Sequence, residues 1–324
     1  MATPVIVAGS VSFLDDGHDW ALHKCDAAGN LYPHGHRLPN HGAFLLSITG
    51  VAIDTAGNVY CCSRNNDWTG STGYDDLPAV IPSAYGDNYE YPQWTVRKYN
   101  PDGVKIWQAN RGAACHDLVI DGSGNAYVVG DAVNSSGVVL EDALNNEDRT
   151  GYFTTAAYSA NGTLLWNADH GHCRSAVGEV PFFRIRVADG YVYTLANSSI
   201  FGTPRHLTKY DASDGAVVWS VDIDPSKWSI AVYDFAVDSS GNVYIAGRFS
   251  SAYAIAKYNN SGSFVAYAAN PGSAKYGKAI AINGAGNIIL GTAVAGGSNN
   301  ALFKYDTSLT LLASQSGSLN AANI

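Results

Sequence analysis

Residues 51–62 read VAIDTAGNVYCC, a short apolar run, a tight turn and a second apolar run, and the unit returns along the chain. LVIDGSGNAYVVG at 118–130, FAVDSSGNVYIAG at 235–247 and IAINGAGNIILG at 280–291 match it almost position for position, and IRVADGYVYTL at 185–195 is the same unit shortened at the turn. A unit recurring at roughly 40–70 residues marks a repeat architecture, in which one module cannot cover its own apolar faces and must stack on its neighbours.

Each unit divides into four strands. Strand A is the apolar stretch that ends in Asp or Asn. A D-x-x-G-N turn leads to strand B, and Gly57, Gly124, Gly241 and Gly286, each followed by Asn, supply residues that tolerate positive φ. Strand C ends in Lys-Tyr at 98–99, 209–210, 257–258 and 304–305, and strand D carries Trp107, Trp166, Trp219 or, in the fifth unit, Tyr267. Short β-branched and aromatic runs at regular spacing predict an all-β fold, and four strands per unit predict propeller blades.

Strand A falls at 48–54, 116–121, 183–188, 233–238 and 278–283. Residues 319–324 resemble a further strand A with nothing after it. Residues 5–9 resemble a strand B with nothing before it, followed by strand C at 20–25 and strand D near 31–32. The two ends complement each other. The expectation is one domain over 1–324, a six-bladed β-propeller of four-stranded antiparallel blades. Its ring closes where the C-terminal strand pairs with the N-terminal one in a shared blade, so that no sheet edge is left open there. The blades are 318–324 plus 1–42, then 43–112, 113–171, 172–224, 225–272 and 273–317.

The D-x-x-G-N units with their Lys-Tyr pairs and strand D Trp resemble the bacterial β-propeller repeats labelled SBBP, and more loosely the PQQ-like and NHL propellers. The resemblance covers nearly the whole chain. It implies the fold; for function it implies only that binding, scaffolding and several chemistries are all hosted on such scaffolds.

Composition narrows the partners. The net charge of −9 argues against a nucleic-acid or anionic-membrane partner, which requires a basic surface. No apolar run reaches the length of a membrane span. Residues 1–4, MATP, carry no basic segment followed by an apolar core, so no secretory signal is read there. Of the five cysteines, Cys25, Cys61 and Cys62 occupy positions held by apolar or Tyr residues in sister units and read as small buried hydrophobes. Their spacing does not predict a disulfide framework.

Departures from the repeat are where function is sought. The B–C connection at 63–93 is long and contains Trp68, Tyr74, Asp75, Asp76, Tyr85, Tyr89 and Tyr91, with Trp94 just after it; a second long connection spans 131–150. Long connections without a strand pattern are usually functional or disordered, and Tyr and Trp among Asp, Asn, Gly and Ser suit recognition. These eight aromatic and acidic residues are the candidate binding set, for a glycan or a protein. His34, His36, His41, His116, His170 and His172 fall in or near D–A connections without a recognised zinc spacing. The first residues of the A strands, Asp117, Arg184, Asp234 and Asn320, are expected at a central channel mouth. There Asp117, Asp234 and Asn320 are weak candidates for a Ca²⁺ ion of the kind six-bladed lactonases hold, or else for an ion-pair network with Arg184. A sialidase reading fails on its Asp-box, because Trp107 stands one residue late in NPDGVKIW; Arg111, Arg174, Arg184 and Arg248 are the arginines it would have called on.

The leading expectation is a non-catalytic binding or assembly protein with no catalytic residue and no cofactor. A chain poor in Lys and Met and rich in Gly, Ser, Asn and Tyr has the composition of bacteriophage virion proteins, and a tail, baseplate or capsid-decorating protein contacting a host-surface glycan or protein is the form it takes. Its partners would be other virion proteins and a host glycan or protein, with neither nucleic acid nor membrane insertion. The second expectation is a metal-dependent hydrolase or lyase acting on a carbohydrate or lactone at the channel mouth. A third is an extracellular propeller exported by a non-classical route, and a cytoplasmic location is also compatible.

Overall fold

A strand that is apolar at every position needs cover on both faces, and this chain provides it by stacking one sheet on the next. The computed structural model describes residues 5–13, 17–25, 36–37, 46–65, 93–112, 115–131, 148–176, 182–197, 205–223, 231–249, 252–269, 275–294 and 297–316. Among the described residues every regular element is a β-strand, and the strands pair antiparallel. None of them is a helix long and apolar enough to cross a membrane.

The chain forms two compact units, one of residues 1–144 and 150–172, the other of residues 145–149 and 173–324. The first contains a three-stranded sheet of β1 (Val5–Phe13), β2 (Gly17–Cys25) and β3 (His36–Arg37). Next comes a sheet of β4 (Leu46–Ile53), β5 (Val59–Asn65), β6 (Gln93–Tyr99) and β7 (Lys105–Gly112). A sheet of β8 (Cys115–Ile120), β9 (Ala126–Asp131), β10 (Asp148–Tyr158) and β11 (Leu164–Ala176) follows. The second unit contains three sheets. They are β12 (Phe182–Ala188), β13 (Tyr191–Asn197), β14 (Arg205–Asp211) and β15 (Val217–Ile223); β16 (Ala231–Val237), β17 (Val243–Phe249), β18 (Ala252–Tyr258) and β19 (Phe264–Ala269); and β20 (Lys275–Ile282), β21 (Ile288–Val294), β22 (Gly297–Tyr305) and β23 (Leu311–Ser316). Each of these sheets runs in sequence order from its first strand to its last, so the A-B-C-D reading of the repeat holds in five sheets. In the three-stranded sheet the last described strand is His36–Arg37, and residues 31–32, where a strand was expected, lie outside the described residues. Residues 318–324, expected to complete that sheet and close a ring against residues 4–9, lie outside the described residues.

The core sits between neighbouring sheets. Along β17, Val243 and Ile245 join a buried cluster with Tyr193, Leu195 and Leu207 of the preceding sheet, whereas Tyr244 and Ala246 join one with Ile280, Leu290 and Phe303 of the following sheet. The alternation of side chains along a strand thus assigns odd positions to one neighbour and even positions to the other, which is why the B strands read as continuous apolar runs. Tyr60, Cys62 and Val96 meet Leu118, Ala126 and Val128 of the next sheet in the same way in the first unit. Cys61 and Cys62 are buried, as expected of them, and Cys115 is buried with them; all three are free thiols. Burial pushes the Cys61 thiol up to about 12, far from the range of a reactive thiolate.

The repeat signature is turn chemistry. The Asp54 carboxylate accepts from the amides of Ala56 (3.0 Å) and Asn58 (2.8 Å) with one oxygen and from the Asn58 side chain (2.7 Å) with the other. Asp121 and Asp238 do the same in their turns, each also accepting from the hydroxyl of a Tyr six residues on, Tyr127 or Tyr244, at 3.0 Å. Desolvation raises the pKa of the Asp238 carboxyl, but the bonds from Asn242, Tyr244 and Ser240 outweigh it and hold the group below its ordinary value. Asp54 is lowered likewise, by Asn58, Lys98 and Tyr60 against desolvation. The shortened unit turns in two residues, Asp189 (φ 49°) and Gly190 (φ 77°), the positive-φ pair of a tight hairpin.

Within each unit a second set of bonds ties one sheet to the one after it, at three junctions. Lys98 Nζ (3.2 Å) and Trp107 Nε1 (3.0 Å) both donate to the carbonyl of Ala160, in the β10–β11 turn. Lys209 and Trp219 donate to the side-chain and main-chain oxygens of Asn260 in the β18–β19 turn, and Lys257 donates to the carbonyl of Thr307 at 2.8 Å in the β22–β23 turn. The indole then lies flat under the turn glycine. A Cβ on Gly162, which has φ +87°, would stand 2.8 Å from Trp107 Cδ2, and one on Gly262 would stand 3.0 Å from Trp219 Cδ2.

Two outcomes are expected. Gly162→Ala meets both a positive φ and an indole, so it destabilises by at least about 1 kcal/mol, whereas Gly122→Ala, where nothing lies within 4 Å, is nearly neutral; urea unfolding of the two variants checks the contrast. Because the Asp238 carboxyl is held low in the folded protein, its contribution is present above the unfolded value of about 3.9 and is lost as pH falls through the folded value. Asp238→Asn, which copies the Asn283 found in the last sheet, therefore lowers Tm at neutral pH and flattens its fall in acid.

Candidate binding site at the paired bulges

In four sheets the first strand has one residue more than its partner. The register shifts between Ile48 and Gly50 in β4, Cys115 and Asp117 in β8, Val232 and Asp234 in β16, and Gly277 and Ala279 in β20. The extra residues are Thr49, His116, Tyr233 and Lys278. A bulge of this kind re-aims a side chain out of the alternation of the strand. In β4 it serves packing: Thr49 Oγ1 donates to the carbonyl of Cys115 at 2.8 Å, and a Cβ on Gly50 would lie 2.6 Å from the Leu118 amide nitrogen.

In the second unit the bulges of adjacent strands β16 and β20 bring their extra residues together. Lys278 Nζ lies 3.4 Å from the centroid of the Tyr233 ring and 5.1 Å from that of Tyr276. The two rings meet edge to face, 6.0 Å apart at 86°. Arg248, at the end of β17, donates from Nη1 to the Tyr276 hydroxyl at 2.9 Å with its guanidinium 4.8 Å above the ring. Both cations therefore rest on π faces, an arrangement worth about 0.5–2 kcal/mol per contact. Among the described residues no carboxylate pairs with Lys278. Desolvation holds its ammonium below the ordinary lysine value. Lys278 and Arg248 are donors only, so the cluster offers cationic donors beside aromatic faces, the equipment for holding an acceptor-rich anion.

One residue along, Asp234 is buried and committed to the fold. Its carboxylate receives the Arg186 guanidinium from β12, the Phe235 amide at 2.9 Å and, through its other oxygen, the Ile280 amide of β20 at 3.0 Å. Three sheets are thus joined at one side chain.

With this geometry in hand, likeness to known proteins can be placed. A family model described as outer membrane protein assembly factor BamB matches residues 125–319, more than half of the chain. The chain belongs to this family. No protein of curated function matches it in sequence. In three dimensions it is similar to a protein of unknown function from Bacteroides caccae (TM-score 0.52, 12% identity, 100% of this chain and 96% of that one). It is also similar to the hydrazine synthase of Kuenenia stuttgartiensis (TM-score 0.50, 11% identity, 89% and 73%). At such identities the likeness is one of fold, and it agrees with a PQQ-like propeller.

The residues expected from the sequence to carry a site are distributed as follows. Trp68, Tyr74, Asp75, Asp76, Tyr85, Tyr89, Tyr91 and Asn320 lie outside the described residues, as do His34 and His41. Trp94 stands in β6, in register with Arg64 and Arg111. Asp117 accepts from the Leu118 amide at 3.0 Å. The alternative offered for Asp234 and Arg184, an ion-pair network, is realised with a different arginine: Arg186 takes the carboxylate, and Arg184 donates to the Phe183 carbonyl at 3.2 Å. Among the described residues no three His, Cys, Asp or Glu side chains group as a metal site. Of the arginines considered for a sialidase pocket, Arg248 belongs to the cluster. Tyr233, Tyr276 and Lys278 were not singled out. The available signal was that Tyr233 directly precedes Asp234 and that a bulge there exchanges their roles.

Asp234→Ala leaves the Arg186 charge and two amides without their acceptor, and is expected to cost about 2 kcal/mol or more. Asp234→Asn, which keeps one carbonyl oxygen, costs less; chemical denaturation of both variants measures the ordering.

Proposed function

We propose that this chain is a non-catalytic binding and assembly propeller. The observation that carries the reading is the pairing of bulges on β16 and β20, which places Tyr233 and Lys278 in contact beside Tyr276 and Arg248. Aromatic rings and cations held in this way suit recognition, because they offer area and charge with little side-chain freedom to lose. The description of the family as an assembly factor for outer membrane proteins supports a role in holding other macromolecules together.

In its finer form the proposal is a virion component of a bacteriophage, in the tail, baseplate or capsid decoration, that touches a glycan or protein of the host surface. Composition supports this: 34 Gly and 20 Tyr against a single Met, with charged residues only 15%. The aromatic and acidic residues from Trp68 to Tyr91 and Trp94 form the proposed second contact region.

The purified chain, mixed separately with host cells and with phage particles and centrifuged, is expected to pellet with at least one of them in a saturable manner. Recovery in the supernatant from both mixtures would sink the virion assignment, and loss of binding only in a Tyr233→Ala, Lys278→Ala double variant would place the contact at the bulges.

A further inference from the structure

We infer that the bulge cluster of the second unit is a subsite for a carboxylated sugar, with the carboxylate on Lys278 and Arg248 and a face of the sugar ring against the tyrosines. The inference rests on the binding reading above and names its ligand.

Three features lead to it. First, Lys278 is exposed, and among the described residues its neighbours are two π faces and no carboxylate. A π face satisfies an ammonium less fully than an anion does, so the site has unspent capacity for negative charge. The lowered pKa of Lys278 agrees with a desolvated cation that an anion would restabilise. Second, the donors share one ring: Lys278 Nζ lies 5.1 Å and the Arg248 guanidinium 4.8 Å from the centroid of Tyr276. Arg248 Nη1 already donates to the Tyr276 oxygen, which leaves the Tyr276 O–H proton for an acceptor, so ammonium and phenol both present protons beside a guanidinium. A ligand matching them carries several oxygens, one group of them charged. Third, the Tyr233 and Tyr276 rings are perpendicular at 6.0 Å and form an edge-to-face corner in which both rings are half-buried. A pyranose has the required complement, a flat C–H face for a ring and hydroxyls for donors, and a uronic acid adds the carboxylate. A bare anion such as acetate or phosphate would use the cations and leave the corner empty. A neutral sugar would use the corner and leave Lys278 without a counter-charge.

The probes are methyl glucuronide, methyl glucoside, acetate and inorganic phosphate, titrated into the intact chain and followed by calorimetry and by the tyrosine side-chain NMR signals. Methyl glucuronide is expected to bind at least ten-fold more tightly than the other three. Lys278→Ala should weaken it ten-fold or more, and Lys278→Arg should retain most of the affinity. Binding should also fall as pH rises through a value below that of ordinary lysine. Circular dichroism and Tm of each variant report folding separately, and Tyr276→Phe, which keeps the ring but removes the hydroxyl, gives a smaller loss. Equal affinity for glucoside, for acetate or for phosphate overturns the inference, as does an undiminished affinity in folded Lys278→Ala. Because these titrations use a small molecule and no particle or cell, failure here with co-sedimentation intact removes only the ligand, whereas failure of co-sedimentation with glucuronide binding intact removes only the virion placement.

Discussion

Everything in the two units depends on how one sheet is held to the next. Lysine ammonium and indole N–H, from the third and fourth strands of one sheet, converge on a single turn of the following sheet: Lys98 and Trp107 on Ala160, Lys209 and Trp219 on Asn260. The lysine end is buried, with Lys98 7% and Lys209 3% exposed. A buried ammonium without a partner would be costly, so the carbonyl it reaches must be in place, and the turn that presents that carbonyl is fixed by its own positive-φ glycine. Apolar burial between the sheets supplies the driving force, but it has no direction. The hydrogen bonds decide which turn meets which strand.

The site is built from an irregularity in the same scaffold. Regular alternation would make every second residue of β16 and β20 either core or surface. The bulges insert one residue each, and in the second unit the insertions fall side by side, at Tyr233 and Lys278. Asp234, the next residue, is thereby turned inward, where it takes Arg186 and the amides of Phe235 and Ile280. The buried clip and the proposed recognition surface are adjacent residues of one strand, so the position of the bulged pair is set by a buried residue. Placement on a rigid element, rather than on a connection, is what a preorganised site requires.

Much of this was legible in the sequence. The D-x-x-G-N turn, the Lys-Tyr end of the third strand and the aromatic on the fourth named most strands of the five full sheets, because each of these residues has a single local job: accept from two amides, reach a neighbour, or cover a glycine. Two strands lack the signal: β10, which ends in Ala157-Tyr158, and β23, which carries no aromatic. The shortening at 188–191 was legible for the same reason, since Asp-Gly is a two-residue reversal. The bulges were not. A bulge adds a residue without changing composition, and VYDFAV reads as well in perfect alternation as with Tyr233 inserted. Without the bulge, Asp234 reads as a channel-mouth residue and Tyr233 goes unremarked. Arg184 was expected at the channel mouth with Asp234, whereas Arg186, two residues on and on the same side of β12, takes the carboxylate. Long connections such as 63–93 follow no repeat, so nothing in their residues specifies where they run.

One property of the bonds between sheets reaches beyond stability. Two of the three acceptors that receive a lysine are main-chain oxygens, Ala160 and Thr307, and the tryptophans likewise address main-chain oxygens, Ala160 and Asn260. A peptide carbonyl is the same whatever side chain it carries, so a sheet does not need to distinguish its neighbour from a copy of itself. Gene duplication or loss of a whole module then leaves the joints intact without compensating mutations, and divergence is free to accumulate elsewhere. The variability of the connections and the uniformity of the turns are what such a history of copying would leave behind.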